Sequence, residues 1–142
     1  MVSSATQPFT PPAIPWLEAR PLVASDQLDP GPGVDPALLH SAMQRVLAVG
    51  GVQALVLFGS RARGEARVDS DLDLAVILTE AQLAPEQKLE MWRRCRQAIG
   101  LLGVGVDLVV NGSADALHKS ASRWHVLGDV AREGRVLFGS RG

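Results

Sequence analysis

The sequence lacks features that mark several common classes of protein. Cys95 is the only cysteine among 142 residues, which excludes a disulfide framework and a cysteine-based zinc site. No apolar run reaches the length of about 18 residues that a membrane helix needs. The first residues also lack the charged and apolar segments of a signal peptide. We therefore expect a cytoplasmic protein that does not bind membranes.

A strong net charge and the commonest nucleotide-binding motifs are missing as well. The formal net charge is −1, so the chain offers no overall positive field for long nucleic acid. The motif Gly-x-x-x-x-Gly-Lys-Ser/Thr does not occur, which excludes a P-loop. The motif Gly-x-Gly-x-x-Gly is absent after the predicted strands, which excludes a Rossmann dinucleotide site.

Proline, in contrast, is concentrated at the start of the chain. Eight of the nine prolines lie between positions 8 and 36. Prolines at this density disfavour helices and central strands. We therefore expect residues 1–33 to form an extended arm that is partly disordered or docks through Trp16 and its apolar neighbours. Residues 34–142 are expected to form one globular domain.

Hydrophobic patterns in this domain predict an α+β fold. The predicted elements are helices at about 35–49, 85–99 and 121–133 and strands at 52–58, 72–78, 104–110 and 135–138. The first two strands are linked too closely for a crossover helix, so we expect them to be antiparallel. The element order predicts a small mixed β-sheet with helices packed mainly on one face.

A Gly-Ser pair followed after ten residues by Asp-x-Asp is the most informative pattern. Gly59 and Ser60 follow the first predicted strand, and Asp71 and Asp73 stand at the start of the second. Residues two apart in a strand project to the same side, so the two carboxylates are expected to lie together. They repel each other unless a cation or a proton separates them. Mg²⁺ prefers such oxygen ligands, and the pattern predicts metal-dependent phosphoryl or nucleotidyl transfer.

A third carboxylate and the residues of the loop complete the candidate site. Asp107 lies in an apolar strand, where a charge is costly to bury unless it is paired or binds a metal. A neighbouring strand would bring it to the first pair, as two-metal chemistry requires. Gly59 lets the backbone approach a phosphate, and Ser60 offers a hydroxyl and an amide. Either Arg61 or Arg63 could neutralise a leaving pyrophosphate, and the sequence does not decide between them.

At these residues the chain resembles the DNA polymerase β-like nucleotidyltransferase superfamily, and within it the minimal nucleotidyltransferases. Their signature is Gly-Ser, ten residues and Asp-x-Asp, which Gly59, Ser60, Asp71 and Asp73 match without gaps. The segment 131–138, Ala-Arg-Glu-Gly-Arg-Val-Leu-Phe, is also typical of the group. The resemblance covers about residues 35 to 138 and leaves the proline-rich arm unexplained.

The resemblance implies a nucleotidyltransferase fold and a set of roles for the site residues. Asp71, Asp73 and Asp107 would hold two Mg²⁺ ions, Gly59 and Ser60 would bind the triphosphate of ATP, and Asp107 could act as general base. Many minimal members are antitoxins that transfer AMP from ATP to a tyrosine of a HEPN-domain ribonuclease toxin. Larger members use an additional helical domain to hold aminoglycosides or nucleic acid ends.

Only a few residues follow the last predicted helix, so we expect the acceptor to be held by another protein. The resemblance therefore predicts a hetero-oligomer with a HEPN-type toxin, which the chain modifies with AMP. Two alternatives stay open at this point. The chain could neutralise its toxin by binding alone, or a homodimer could transfer nucleotides to a small molecule of the aminoglycoside type.

Overall fold

The computed structural model describes residues 14–140, so the predictions for residues 1–13 and 141–142 lie outside the described residues. Short 3-10 turns at Pro15–Leu17 and Ser25–Gln27 precede the helices and strands. The elements that follow are α1 (Pro36–Val49), β1 (Val52–Phe58), α2 (Gly59–Arg63), β2 (Leu72–Leu78), α3 (Pro85–Ile99), β3 (Val106–Gly112), α4 (Ser113–Lys119), α5 (Val126–Glu133) and β4 (Arg135–Gly139). Among the described residues, none of the helices combines the length and the apolar character needed to span a membrane.

The four strands form one mixed sheet in the order β3-β2-β1-β4. β1 is antiparallel to both β2 and β4, whereas β2 and β3 are parallel. Parallel neighbours need a long crossover connection, and α3 provides it. The predicted mixed α+β sheet and the antiparallel pairing of the first two strands are confirmed. β3 begins two residues later than the sequence predicted.

Side chains alternate between two apolar layers on opposite faces of this sheet. The long helices α1 and α3 pack on one face, against Leu55, Leu57 and Leu74. The short helices α4 and α5 pack on the other face, against Val56 and Ile77. The expectation that helices lie mainly on one face thus holds for the two long helices, and a smaller second layer covers the opposite face.

The predicted last helix over 121–133 ends where α5 ends but begins five residues too early, because a turn precedes α5; the short helix α4 before this turn was not predicted. In this turn the Ser122 hydroxyl accepts a hydrogen bond from the backbone N–H of Trp124 at 3.1 Å. His125 Nδ1 accepts one from the N–H of Leu127 at 3.1 Å and caps α5. Side chains that bond the nearby backbone in this way compete with helix continuation.

The described part of the arm packs along the outer edge of β4. Arg20 and Gly139 exchange two backbone hydrogen bonds, of 2.7 and 2.8 Å, and Val23 N–H donates to the Leu137 carbonyl at 2.9 Å. Trp16 is only 1% exposed and belongs to the apolar layer that contains α5. The segment 20–23 therefore covers an edge strand, although the boundary between arm and domain stays a prediction.

Candidate active site

Three aspartates lie at one end of the sheet, where β2 and β3 begin. Asp71 immediately precedes β2, and Asp73 and Asp107 are the second residues of β2 and β3. Asp73 and Asp107 are direct register partners in the parallel ladder. Leu72 and Leu108 face the layer of α1 and α3, so the alternating aspartates project toward the opposite face. The two strands thus bring together the three carboxylates that the sequence singled out.

Two glycines leave room for these carboxylates. Gly59 follows β1 with a φ of +72°, and a Cβ atom there would collide with Oδ2 of Asp73. A Cβ atom at Gly105 would likewise collide with Oδ1 of Asp71. Ser60 follows Gly59 at the start of α2 and is half-buried. Gly59 and Ser60 therefore lie beside the aspartates, while the contribution of Gly105 was missed, although it stands only two residues before Asp107.

The aspartates also interact electrostatically. Burial, followed by the negative charges of Asp107 and Asp71, raises the pKa of Asp73 from its ordinary value of 3.8 to about 6. The positive charge of Arg63 opposes this shift. Among residues 14–140, no three carboxylate, imidazole or thiol groups converge closely enough to ligate one ion together. The side chains thus form a negative cluster that a cation would relieve, but they do not surround one point.

The burial argument for Asp107 is wrong. Its side chain is exposed at the beginning of β3 and does not lie within the apolar interior of the strand. The predicted proximity of Asp107 to the first aspartate pair is nevertheless observed, because the parallel pairing of β2 and β3 places Asp107 directly beside Asp73. An exposed carboxylate at an edge strand remains accessible to a second reactant.

The structure argues against the predicted contact between Arg61 and a phosphate. Arg61 is fully buried, and its guanidinium donates to backbone carbonyls. Nη1 donates to the carbonyls of Pro30 and Pro32 at 2.8 and 2.7 Å. Nη2 and Nε donate to the carbonyl of Ser70 at 2.7 and 3.1 Å. Arg61 thus fastens the arm to the loop that leads to Asp71, and its donors are already occupied.

Arg63, unlike Arg61, lies at the protein surface near the aspartate cluster. Its side chain is exposed, and Nη1 donates to Oε1 of Glu133, the last residue of α5, at 2.9 Å. Glu133 raises the pKa of Arg63, and the charge of Arg63 in turn lowers the pKa of Asp73. Sequence reasoning assigned no site role to Glu133, although it lies in the segment 131–138 that is typical of the minimal nucleotidyltransferases. Arg63 is therefore the arginine of the pair that lies beside the carboxylates.

Two sizeable cavities lie outside this cluster. One of about 690 Å³ lies between the arm and the first residues of β4, lined by Arg20, Leu28 and Arg135 among others. The other, of about 610 Å³, lies along β3 and α3. None of the three aspartates lines either cavity. Asp71 and Asp107 are exposed and Asp73 is half-buried, so the cluster reaches the surface at the end of the sheet.

Solved structures provide the comparison for this fold. A putative nucleotidyltransferase from Sulfolobus solfataricus, 18% identical, covers 72% of this chain and 78% of its own, with a TM-score of 0.51. A toxin–antitoxin structure with AMP-PNP is 27% identical over 70% of this chain and 73% of its own, with a TM-score of 0.46. A structure of the tri-AMPylated Shewanella oneidensis HEPN toxin in complex with MNT antitoxin is 23% identical over 70% and 74%, with a TM-score of 0.38.

The family comparison covers most of the chain. The family described as polymerase beta, nucleotidyltransferase, matches residues 45–142, a span that contains the Gly-Ser pair and all three aspartates. No curated protein sequence matches the chain. The Sulfolobus structure shares the fold. Because the family match extends over more than half of the residues, the chain belongs to the polymerase β nucleotidyltransferase family.

Proposed function

We propose that this protein is an antitoxin that transfers AMP from ATP to a tyrosine hydroxyl of a HEPN-type ribonuclease toxin, with Mg²⁺ as cofactor. The observation that carries the proposal is the placement of Asp71, Asp73 and Asp107 at one end of the sheet, beside Gly59. Family membership supports nucleotidyl transfer. The sequence resemblance to the minimal nucleotidyltransferases supports the choice of acceptor.

The donor set fits Mg²⁺. Three carboxylates offer the oxygen ligands that this ion prefers, and their mutual repulsion favours a bound cation. Asp71, Asp73 and Asp107 would hold the metal. When bound, Mg²⁺ supplies charge compensation for the triphosphate and for the developing charge on the pyrophosphate.

The remaining residues suggest where each reactant binds: the triphosphate of ATP on one side of the aspartate cluster and the acceptor hydroxyl on the other. Gly59 and Ser60 lie at the β1 side, where the absence of a side chain at Gly59 lets a triphosphate approach the backbone. Arg63, exposed next to Asp73, supplies positive charge for the phosphates. Asp107 lies on β3, the strand at the opposite side, where its exposed carboxylate could face the acceptor hydroxyl as well as the metal.

The reaction is an in-line displacement at the α-phosphorus. The tyrosine oxygen forms a bond to the α-phosphorus while the bond to the oxygen that bridges the α- and β-phosphates breaks. Pyrophosphate leaves with that electron pair, and Asp107 accepts the proton of the hydroxyl. The products are the AMP-modified tyrosine and pyrophosphate.

The direct test is to incubate the chain with ATP, Mg²⁺ and its HEPN-domain partner and to weigh the partner by mass spectrometry. We expect the mass of the partner to increase by one or more AMP groups. Asp71→Ala with Asp73→Ala should abolish the increase, whereas Asp26→Ala, at an exposed carboxylate in a turn of the arm, should preserve it. An unmodified partner in the presence of the wild-type chain would refute the proposal.

The same variants separate the alternatives. If the Asp71→Ala/Asp73→Ala chain still neutralises the toxin fully, neutralisation occurs by binding alone. If the wild-type chain modifies an aminoglycoside without any partner, it acts on small molecules.

A further inference from the structure

A second cluster of charged groups lies at the other end of β3, away from the aspartates. Lys88 Nζ of α3 and Lys119 Nζ of α4 both donate to Oδ1 of the buried Asn111, at 3.3 and 3.4 Å. Two ammonium groups that share one amide oxygen repel each other. Within residues 14–140, neither lysine has a carboxylate oxygen within the 4.0 Å of an ion pair. These charges are thus arranged to receive an anionic group.

The surroundings confirm that the positive charge is incompletely compensated. Burial and the charge of Lys119 lower the pKa of Lys88, and the more distant Asp115 opposes this effect only in part. Burial, Lys119 and Lys88 also lower the pKa of His125, which lines the same cavity. An anion placed among these groups would stabilise their charged forms.

Lys88 and Asn111 line one end of an open apolar groove, and Lys119 reaches that end through its hydrogen bond to Asn111. We call this cavity of about 610 Å³ the β3 groove, and its principal lining residues are Lys88, Leu89, Trp92, Val109, Asn111 and Val126. Leu89 and Trp92 are 47% and 38% exposed, so the apolar wall faces solvent. Trp92 Nε1 donates to the Leu108 carbonyl at 2.9 Å, which fixes the indole against the edge of β3. A segment with an apolar side chain would bury this wall.

The β3 groove lies on the side of the aspartate cluster where an acceptor would arrive. In the sheet, Gly59 follows β1, Asp73 lies on the middle strand β2, and Asp107 lies on the edge strand β3. The groove begins at Leu108, directly after Asp107, and ends at Asn111. Four residues along a strand span about 13 Å, so Asn111, which both lysines contact, lies about that far along β3 from Asp107.

We propose that the β3 groove docks an acidic and apolar segment of the protein that carries the acceptor hydroxyl, with Lys88 and Lys119 binding a carboxylate of that segment. This inference rests on the proposed function, because it takes the acceptor to be a protein. The positive charges and the exposed apolar wall together favour a peptide segment, since a small inorganic anion would use only the lysines. The acceptor hydroxyl would then meet Asp107 while the acidic side chain, about four residues away in an extended segment, meets the lysines.

The test compares charge reversals inside and outside the groove in the full-length chain. Lys88→Glu and Lys119→Glu should each weaken the affinity for the HEPN-domain partner by about tenfold and raise the KM for that partner, with kcat nearly unchanged. Arg93→Glu, an exposed position on the same helix as Lys88, is the matched control and should change the affinity by less than about twofold. Thermal melting checks that each variant is folded, and Lys88→Gln replaces Lys88→Glu if the latter unfolds.

The transfer assay tests the proposed function and the binding assay tests the docking site, so either proposal can be refuted without the other. If the wild-type chain transfers no AMP, the proposed function fails, while the dissociation constant of the complex still tests the docking site. Unchanged affinity in folded Lys88 and Lys119 variants would overturn the docking proposal. Titration with inorganic phosphate, followed through the NMR signals of His125, tests the alternative that the groove binds a small anion. Phosphate that saturates the groove without competing with the partner would make it a small-anion site and would also overturn the proposal.

Discussion

Replacing Asp73 by asparagine should make the protein more stable at neutral pH while it removes a carboxylate that the proposed transfer requires. Asparagine has nearly the same shape as aspartate but carries no charge. In the folded chain the Asp73 carboxylate is partly buried and lies beside Asp107 and Asp71, which raises its pKa from 3.8 to about 6. Asp73→Asn removes both the desolvation and the repulsion of this charge, and the free energy of unfolding should therefore increase.

The size and the pH dependence of this increase in the free energy of unfolding follow from the pKa of Asp73. A shift from 3.8 to about 6 corresponds to at most about 3 kcal/mol. Asp73 is only half-buried and solvent screens its neighbours, so we expect about 1–2 kcal/mol. Between pH 3.8 and about 6 the folded state binds more protons at Asp73 than the unfolded state does, so this charge lowers stability increasingly as pH rises. The full difference between variant and wild type is present above about pH 6, and roughly half of it remains near pH 5.

Urea denaturation followed by tryptophan fluorescence measures this difference, because Trp16 is buried in the folded chain and becomes exposed on unfolding. Asp26→Asn, at an exposed carboxylate of the arm, is the matched control and should leave stability nearly unchanged. Adding Mg²⁺ should narrow the gap between Asp73→Asn and wild type, because a bound cation stabilises the charged form. A variant that is no more stable than wild type at about pH 7.5 would refute this account of the cluster.

Further predictions concern the loop and the arm. Gly59→Ala should abolish transfer and lower stability by about 1–3 kcal/mol, because it adds a Cβ atom against Asp73 at a positive φ; activity assays and urea melts check this. Arg61→Ala should lower stability by about 3–5 kcal/mol, since it leaves buried carbonyls without donors. Arg67→Ala, at an exposed position of the loop that follows α2, should cost less than about 0.5 kcal/mol; equal melting temperatures of the two variants would contradict the buried role of Arg61. Trp16→Ala should cost about 3–5 kcal/mol by calorimetry, and a neutral result would show that the arm does not pack as described.

Local sequence patterns were sufficient to predict much of this fold. The apolar run of β1 is buried along its whole length, and β2 is buried at all but one of its positions. Pro36 and the Asp35 cap, whose side chain accepts from the N–H of Ala37 at 2.9 Å, mark the start of α1. The close link between the two strands predicted their antiparallel pairing, and that pairing places Gly59 beside Asp73.

The errors share a physical cause, since each concerns a contact between segments far apart in sequence. Arg61 looked like a phosphate ligand because its motif is near the aspartates, yet the carbonyls it binds include those of Pro30 and Pro32, about thirty positions earlier. Asp107 looked buried because its neighbours are apolar, but it is the exposed second residue of an edge strand. That position depends on pairing with Asp73 on β2, more than thirty positions earlier. The same holds for the docking of the arm, which the sequence left open beside partial disorder: it depends on pairing with β4 residues more than a hundred positions later.

The two edge strands of the sheet differ in what covers them, and this difference affects where a partner protein could bind. The arm pairs with the β4 edge through Arg20 and Gly139, so that edge is already occupied by the chain itself. At the opposite edge, β3 meets the Trp92 indole at Leu108 and an open groove beyond it. A chain that protected both edges alike would leave no strand for an extended segment to follow. Because the β3 edge also carries Asp107, a partner segment that follows β3 from the open groove past Trp92 would run toward the aspartate cluster.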